Sequence, residues 1–181
     1  MIVDMPFNTY KNKSQALKNC RKVMKETKCD GIKLEGGRNI NEIVKHLIKH
    51  RIPVMGHIGI TPQSVRGKFR YKGKSDIEKK ILLKDSKSLE DAGVFAIVLE
   101  CIERITSKKI TESIKIPTIG IGSSNFCDGQ ILVTDDLLGL TDNKIKFVKK
   151  YADLKSNVRK AVKKFKLDVK KGSYPSIKYS Y

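Results

Sequence analysis

The sequence predicts an α/β protein in which short parallel strands alternate with amphipathic helices. Apolar segments of strand length recur along the 181 residues, and between them apolar side chains repeat at helical spacing. This alternation favours a parallel sheet, because a parallel neighbour is reached through a crossover that is usually a helix. A hydrophobic content of 39% is compatible with a folded core. We therefore expect residues 1–181 to form a single domain.

The first three predicted strands carry ionisable side chains near their carboxyl ends. The strands are 2–3, 31–37 and 53–59, and the side chains are Asp4, Lys33, Glu35 and His57. Successive side chains of a strand alternate between its faces, so Lys33 and Glu35 point to the same side. A buried cation and carboxylate need partners, although paired charges are also common on exposed strands.

The helices between these strands are predicted from apolar stripes that begin near Ala16 and Ile40. A segment at 60–74, rich in Gly, Lys and Arg, interrupts the alternation, as expected of a functional loop. Ser75 and Glu78 then form a Ser-x-x-Glu capping box, which predicts the start of a third helix. The predicted inner face of that helix is Ile77, Ile81, Leu82, Leu89 and Ala92.

The second half of the chain continues the pattern. The segment 94–101 is a nearly continuous apolar run broken by Glu100, which is typical of a strand covered on both faces. A helix is predicted at 103–114, further strands at 117–122 and 130–135, and a C-terminal helical segment at 144–171. The predicted buried stripe of this last segment is Val158, Ala161, Val162, Phe165 and Val169.

Ionisable residues at the ends of four strands favour a (β/α)8 barrel, because an open doubly wound sheet concentrates its site at one switch point. Only six strands can be counted, whereas such barrels typically need about 250 residues. We therefore predict the C-terminal part of a (β/α)8 barrel, truncated to about six βα units. The first two strands would precede Met1.

Composition narrows the class of protein. The formal net charge is +19, but lysines and arginines are spread over most helices, so we expect a solvated basic surface and no nucleic-acid partner. There is no apolar run of membrane-spanning length and no signal-peptide pattern, which predicts a cytoplasmic protein without a membrane partner. The four cysteines form no Cys-x-x-Cys pair and are expected to be reduced thiols.

Several motifs occur together in one order. They are Val3-Asp4-Met5-Pro6-Phe7, Lys33-Leu34-Glu35-Gly36-Gly37, Gly56-His57-Ile58-Gly59-Ile60-Thr61-Pro62-Gln63-Ser64, Val98-Leu99-Glu100-Cys101, Ile119-Gly120-Ile121-Gly122 and Cys127-Asp128-Gly129-Gln130. With these motifs the chain resembles the ketopantoate hydroxymethyltransferase family over essentially its whole length.

The resemblance implies a magnesium-dependent enzyme of pantothenate biosynthesis. Such an enzyme transfers a hydroxymethyl group from 5,10-methylenetetrahydrofolate to 3-methyl-2-oxobutanoate, which gives 2-dehydropantoate. Asp4 and Glu35 would bind Mg²⁺, Asp4 and Lys33 would contact the keto acid, His57 would lie near it, and Glu100 would be the proton acceptor. The family also implies a homo-oligomer, commonly a decamer.

The residues leave alternatives open for three of these roles. Lys33 could form a Schiff base, but the nearby Asp4 and Glu35 favour its charged form, which suits binding of a carboxylate. His57 could be a buried core histidine instead of a substrate ligand. Glu100 could be a structural carboxylate that caps a helix.

The chain also departs from the family pattern. The family's Asp-Ser-Leu-Gly motif, which supplies a further metal ligand, is absent, and the family's Ile-Gly-Ile-Gly-Ala-Gly becomes Ile-Gly-Ile-Gly-Ser123-Ser124. The alternative hypothesis is therefore a truncated, non-catalytic or partner-dependent binding module of the same family.

Overall fold

The computed structural model describes residues 1–63, 70–142 and 144–181. Contacts divide the chain into two compact units, Met1–Ile131 and Leu132–Tyr181, which we describe separately. The prediction of a single domain over 1–181 stays a prediction. Of the predicted loop at 60–74, residues 64–69 lie outside the described part of the chain, among them Ser64 of the Gly-His motif. Within the described ranges, no helix is long and apolar enough to cross a membrane.

The first unit alternates strands with helices. Its strands are β1 Ile2–Asp4, β2 Gly31–Glu35, β3 Val54–Gly59, β4 Ala96–Glu100, β5 Thr118–Ile121 and β6 Gly129–Gln130. Its helices are α1 Lys13–Thr27, α2 Asn41–Lys49, α3 Asp76–Ala92 and α4 Arg104–Ser113, and a 3-10 turn at Arg38–Ile40 precedes α2.

The strands form one parallel sheet in chain order, from β1 to β6. Each strand thus lies beside the one before it, as in a (β/α)8 barrel and unlike an open sheet with a switch point. The predicted fold class, about six βα units of barrel type, is confirmed. In the register, Asp4 lies opposite Lys33, Glu35 opposite His57, and Gly59 opposite Glu100.

Alternation of side chains separates the core from the site. Ile32 and Leu34 of β2 are fully buried and belong to the hydrophobic core, whereas Lys33 and Glu35 between and after them point to the opposite face. In β4 the four residues before Glu100 are all buried. This burial confirms the prediction of a strand covered on both faces.

The start of α3 follows the predicted capping box. The side chain of Ser75 accepts a hydrogen bond from the backbone N–H of Glu78 at 3.2 Å, which satisfies one of the helix's first donors. The inner face is narrower than predicted, because Ile77 and Ile81 are exposed and the buried row runs through Leu82, Ser86, Leu89 and Ala92.

The chain differs from the prediction after β5. The predicted strand at 130–135 is shorter, because Thr134 and Asp135 begin the short helix α5, Thr134–Leu137. Asp135 and Asp136 in the first turn favour a helix start, where carboxylates meet the positive end of the helix dipole.

The C-terminal helix α6 is Leu154–Lys170, shorter than the predicted segment 144–171. Asp153 sets the start, because its side chain accepts a hydrogen bond from the N–H of Ser156 at 3.3 Å. No residue of α6 is buried, so the prediction of a buried stripe along this helix is wrong. Helical periodicity identifies an apolar face, but that face is buried only where another element covers it.

Gly59 closes β3 in a conformation that only glycine adopts without strain. Its φ is +105°, and a Cβ built on it would lie 2.1 Å from the carbonyl oxygen of Glu100. We expect Gly59→Ala to lower the free energy of unfolding by about 3 kcal/mol, from left-handed strain and overpacking together. Chemical denaturation of the purified variant measures this change.

Gly93→Ala is the matched control. Gly93 also has a left-handed φ, of +95°, but a Cβ there would make only ordinary contacts with Ile48. We expect it to cost about 1 kcal/mol. Equal costs at the two positions would contradict the close approach of β3 and β4 at Gly59.

Candidate active site at the carboxyl ends of the strands

The five predicted site residues come from neighbouring strands and lie on one side of the sheet. Lys33 links two of them, because its Nζ lies 2.9 Å from Asp4 Oδ1 and 3.3 Å from His57 Nδ1. On the other edge of the imidazole ring, His57 Nε2 lies 3.1 Å from Glu100 Oε2. A chain of polar contacts therefore runs from β1 to β4.

The contacts of His57 fix its tautomer. An ammonium group can only donate, so the hydrogen bond from Lys33 requires His57 Nδ1 to be an acceptor. The ring proton of a neutral His57 is then on Nε2, which faces Glu100. The two atoms are close but not aligned for a hydrogen bond, and Nε2 has no hydrogen-bond partner within the described ranges. His57 is 1% exposed, so this unpaired donor is deeply buried.

Glu35 is a buried carboxylate with weak compensation for its charge. The backbone N–H of Gln63 donates to Glu35 Oε2 at 3.1 Å, and His57 Nδ1 lies 3.8 Å from Oε1. Burial raises the pKa of the Glu35 carboxyl, and the neighbouring His57, the Gln63 bond and Lys33 only partly oppose that effect. A cation bound at Glu35 would therefore compensate a charge that its present neighbours compensate only in part.

Glu100 is free of the structural role that the sequence left open for it. The N-terminus of α4 is capped by Glu103, whose side chain accepts hydrogen bonds from the backbone N–H groups of Ile105 and Thr106 at 3.0 and 2.8 Å. The side chain of Glu100 is 18% exposed and faces His57. It is partly accessible, as a group that exchanges a proton with a ligand must be.

Two further side chains lie at the site although the sequence analysis did not predict them as site residues. The hydroxyl of Tyr10 accepts a hydrogen bond from the backbone N–H of Glu35 at 3.3 Å, and burial raises the pKa of this phenol. Cys101 follows Glu100, and burial raises the pKa of its thiol to about 11, with the Glu100 carboxylate adding to the effect. Cys101 is therefore a poor nucleophile at neutral pH. An aromatic hydroxyl soon after β1 was the available signal for Tyr10.

A cavity of about 390 Å³ adjoins the site. Glu35, Gly59 and Thr61 form one part of its lining, and Lys72, Glu78 and Asp85 belong to the remainder. This volume is in the range of small-molecule sites. Glu35, at the carboxyl end of β2, is therefore within reach of a ligand in the cavity.

The carboxylates of Asp4 and Glu35 could supply only part of the coordination shell of a Mg²⁺ ion. Within the described ranges, no group of three or more His, Cys, Asp and Glu side chains is arranged to hold a metal ion. Mg²⁺ is commonly held by one or two carboxylates, with waters and substrate oxygens completing the octahedron. Asp4, with a side chain that is 53% exposed, and the desolvated Glu35 fit that pattern.

The raised pKa of Glu35 predicts the pH dependence of stability. A carboxyl whose pKa is higher in the folded than in the unfolded state binds its proton more tightly when folded. Stability is then lost as the pH rises from the unfolded value, near 4.5, through the higher folded value. In chelator-treated protein we expect Glu35→Gln to be more stable than the unaltered chain at pH 7.

This advantage of Glu35→Gln should shrink as the pH falls toward 4.5, and urea titrations at pH 4.5 to 8 measure it. Glu26→Gln, at an exposed position of α1, is the control and should show no such trend. A constant difference between Glu35→Gln and the unaltered chain across this range would contradict the desolvation of Glu35.

Comparison with known proteins identifies relatives. The family model for ketopantoate hydroxymethyltransferase matches residues 1–177. A 3-methyl-2-oxobutanoate hydroxymethyltransferase of Pelagibacter ubique is 55% identical over 181 residues, covering 100% of this chain and 70% of the relative. The enzymes of the same name from Clostridium botulinum and Helicobacter pylori strain P12 are 47% and 50% identical, also over 100% of this chain and over 67% and 68% of their own lengths.

Solved structures add little. Dihydrodipicolinate synthases from Agrobacterium tumefaciens and Oceanobacillus iheyensis are similar at TM-scores of 0.45 and 0.42 and 12% identity. The matches cover 77% and 66% of this chain and 50% and 43% of theirs, and scores this low support no inference. The family model and the sequence relatives are decisive, and they show that the chain belongs to the ketopantoate hydroxymethyltransferase family.

Proposed function

We propose that the chain transfers a hydroxymethyl group from 5,10-methylenetetrahydrofolate to 3-methyl-2-oxobutanoate, giving 2-dehydropantoate in pantothenate biosynthesis. The single observation that carries this proposal is the line of contacts from Asp4 through Lys33 and His57 to Glu100. It joins a cation that can hold a carboxylate to a base that can remove a proton. A homo-oligomer, by analogy with the family, and a cytoplasmic location belong to the same proposal.

Lys33 is the group proposed to bind the anionic end of the keto acid. Its ammonium is held by Asp4 Oδ1 at 2.9 Å, and its side chain is 16% exposed. A Schiff base would require a neutral amine free to attack the keto carbon, whereas Lys33 Nζ is in contact with the Asp4 carboxylate and with His57 Nδ1. Electrostatic binding of the substrate is therefore preferred over covalent catalysis by Lys33.

Glu100 is the group proposed to remove the proton from C3 of the keto acid. As the proton moves to a carboxylate oxygen of Glu100, the negative charge leaves the side chain and develops on the substrate. His57 Nε2, 3.1 Å from Glu100 Oε2, faces the carboxylate that receives the proton. The burial of His57 also keeps that face of Glu100 away from water.

Asp4 and Glu35 are the residues proposed to hold Mg²⁺. When bound, Mg²⁺ polarises the keto oxygen and thereby makes the C3 proton more acidic. It would also compensate the buried charge of Glu35, whose pKa burial raises.

The proposed base is tested by isotope exchange at C3 in D2O without folate, followed by NMR. The sequence without substitutions is assayed in two forms. One form is the chain alone, and the other is the chain extended by the residues of the Pelagibacter ubique relative that the match does not cover. We expect Glu100→Gln to slow exchange by about 10²- to 10⁴-fold, the usual effect of losing a general base.

Glu112→Gln, at an exposed position of α4, is the matched control and should exchange at the unaltered rate. Exchange that persists in Glu100→Gln would show that Glu100 is not the base. Binding of the keto acid without exchange in either unaltered form would favour the alternative, a non-catalytic binding module.

The proposed metal site is tested without an activity assay. A ligand present at ten times its Kd stabilises the folded state by about 1.4 kcal/mol, so MgCl2 should raise the unfolding midpoint of the unaltered chain. We expect the double variant Asp4→Asn with Glu35→Gln to lose this response, and the Glu26→Gln control to keep it. A response that survives in the double variant would place Mg²⁺ elsewhere.

A further inference from the structure

The carboxyl end of β4 is tied to the loop after β5 by one hydroxyl group. Ser123 Oγ donates a hydrogen bond to the carbonyl oxygen of Leu99 at 2.6 Å. Ser123 Oγ also accepts a hydrogen bond from the backbone N–H of Ile102 at 3.1 Å. Ser123 therefore bonds to the residues on either side of the pair Glu100 and Cys101.

The backbone between these two bonds has an unusual conformation. Cys101 has a φ of 49°, in the left-handed region that non-glycine residues rarely adopt. This turn lets the Ile102 N–H point back to Ser123, and it ends the strand directly after Glu100. Residues held in such conformations keep them only when surrounding contacts impose them.

Other backbone hydrogen bonds hold Glu100 and Cys101, whereas the backbone N–H of Ile102 is bonded to Ser123 Oγ. Cys101 N–H donates to Ile121 O, and Glu100 O accepts from Ile60 N–H, both at 2.9 Å.

Ile102 is 2% exposed, so without the hydroxyl of Ser123 its N–H would be buried and would lack this hydrogen bond. An alanine can neither accept that bond nor donate to Leu99.

We propose that Ser123 is a positioning residue for Glu100, whose carboxylate it aims at the substrate by fixing the turn at Cys101. The role rests on the proposed function, since Glu100 is the base only in that reaction. It requires no contact between Ser123 and the substrate. Its loss should therefore affect the proton-transfer step and leave binding of the keto acid unchanged.

The test uses Ser123→Ala, Ser123→Thr and a matched control, Ser124→Ala. Ser124 Oγ accepts a hydrogen bond from Phe126 N–H at 3.2 Å, so its removal disturbs the same loop without touching β4. C3 exchange is measured over a range of keto-acid concentrations. The variants are made in the form of the protein, alone or extended, that is active without substitutions. Amide hydrogen exchange of Ile102 is measured in parallel.

We expect Ser123→Ala to lower kcat for exchange about 10-fold, since small displacements of a catalytic group cost up to about 100-fold. KM should stay within about twofold, Ser123→Thr should restore kcat, and Ser124→Ala should match the unaltered chain. The Ile102 amide should lose its protection from hydrogen exchange in Ser123→Ala and keep it in the other two variants.

Three results would overturn the positioning role: an unchanged kcat in Ser123→Ala, an equal loss in Ser124→Ala, or an Ile102 amide that stays protected in Ser123→Ala. An inactive unaltered chain in both forms is a different failure. It would contradict the proposed function, and the Ile102 amide would still decide whether the hydroxyl tie exists.

Discussion

The ammonium group of Lys33 is the contact on which the site depends. It pairs with the carboxylate of Asp4 on one side and donates a hydrogen bond to His57 Nδ1 on the other. One cation therefore compensates the charge of Asp4 in β1 and sets the tautomer of His57 in β3. Without that donor, His57 Nδ1 could carry the ring proton and present an unprotonated Nε2 to Glu100. An arginine would not substitute simply, because its planar fork would need a different geometry between a carboxylate and an imidazole ring.

The family assignment and the geometry support the proposed reaction in different ways. Membership of the family rests on matches along the whole chain, including residues far from the site. The geometry adds that Glu100 is not needed as a helix cap, because Glu103 serves that role. It also offers a reason for the histidine, whose buried Nε2 has Glu100 as its nearest acidic neighbour.

The sequence was sufficient to predict the sheet and the five charged or polar residues at its edge. Strand periodicity and the alternation with helices are local signals, and parallel pairing in chain order brings the strand ends together. The exposed face of α6 could not be predicted in this way, since burial depends on a distant partner. The role of Ser123 was equally hidden, because it depends on the left-handed turn at Cys101. In the sequence it was visible only as a departure from the family pattern.

The pairing register also restricts how this chain can change in length. The pairing register aligns the side-chain alternation of each strand with that of its neighbour. One face of the sheet therefore carries all five site residues: Asp4, Lys33, Glu35, His57 and Glu100. One residue inserted in β2 between Gly31 and Ile32 would turn Lys33 and Glu35 toward the helices and bring Ile32 and Leu34 to the site. Insertions between strands leave the alternation unchanged. Length variation in this lineage should therefore be confined to the connections, while the strands tolerate exchange of residues but no gain or loss of them.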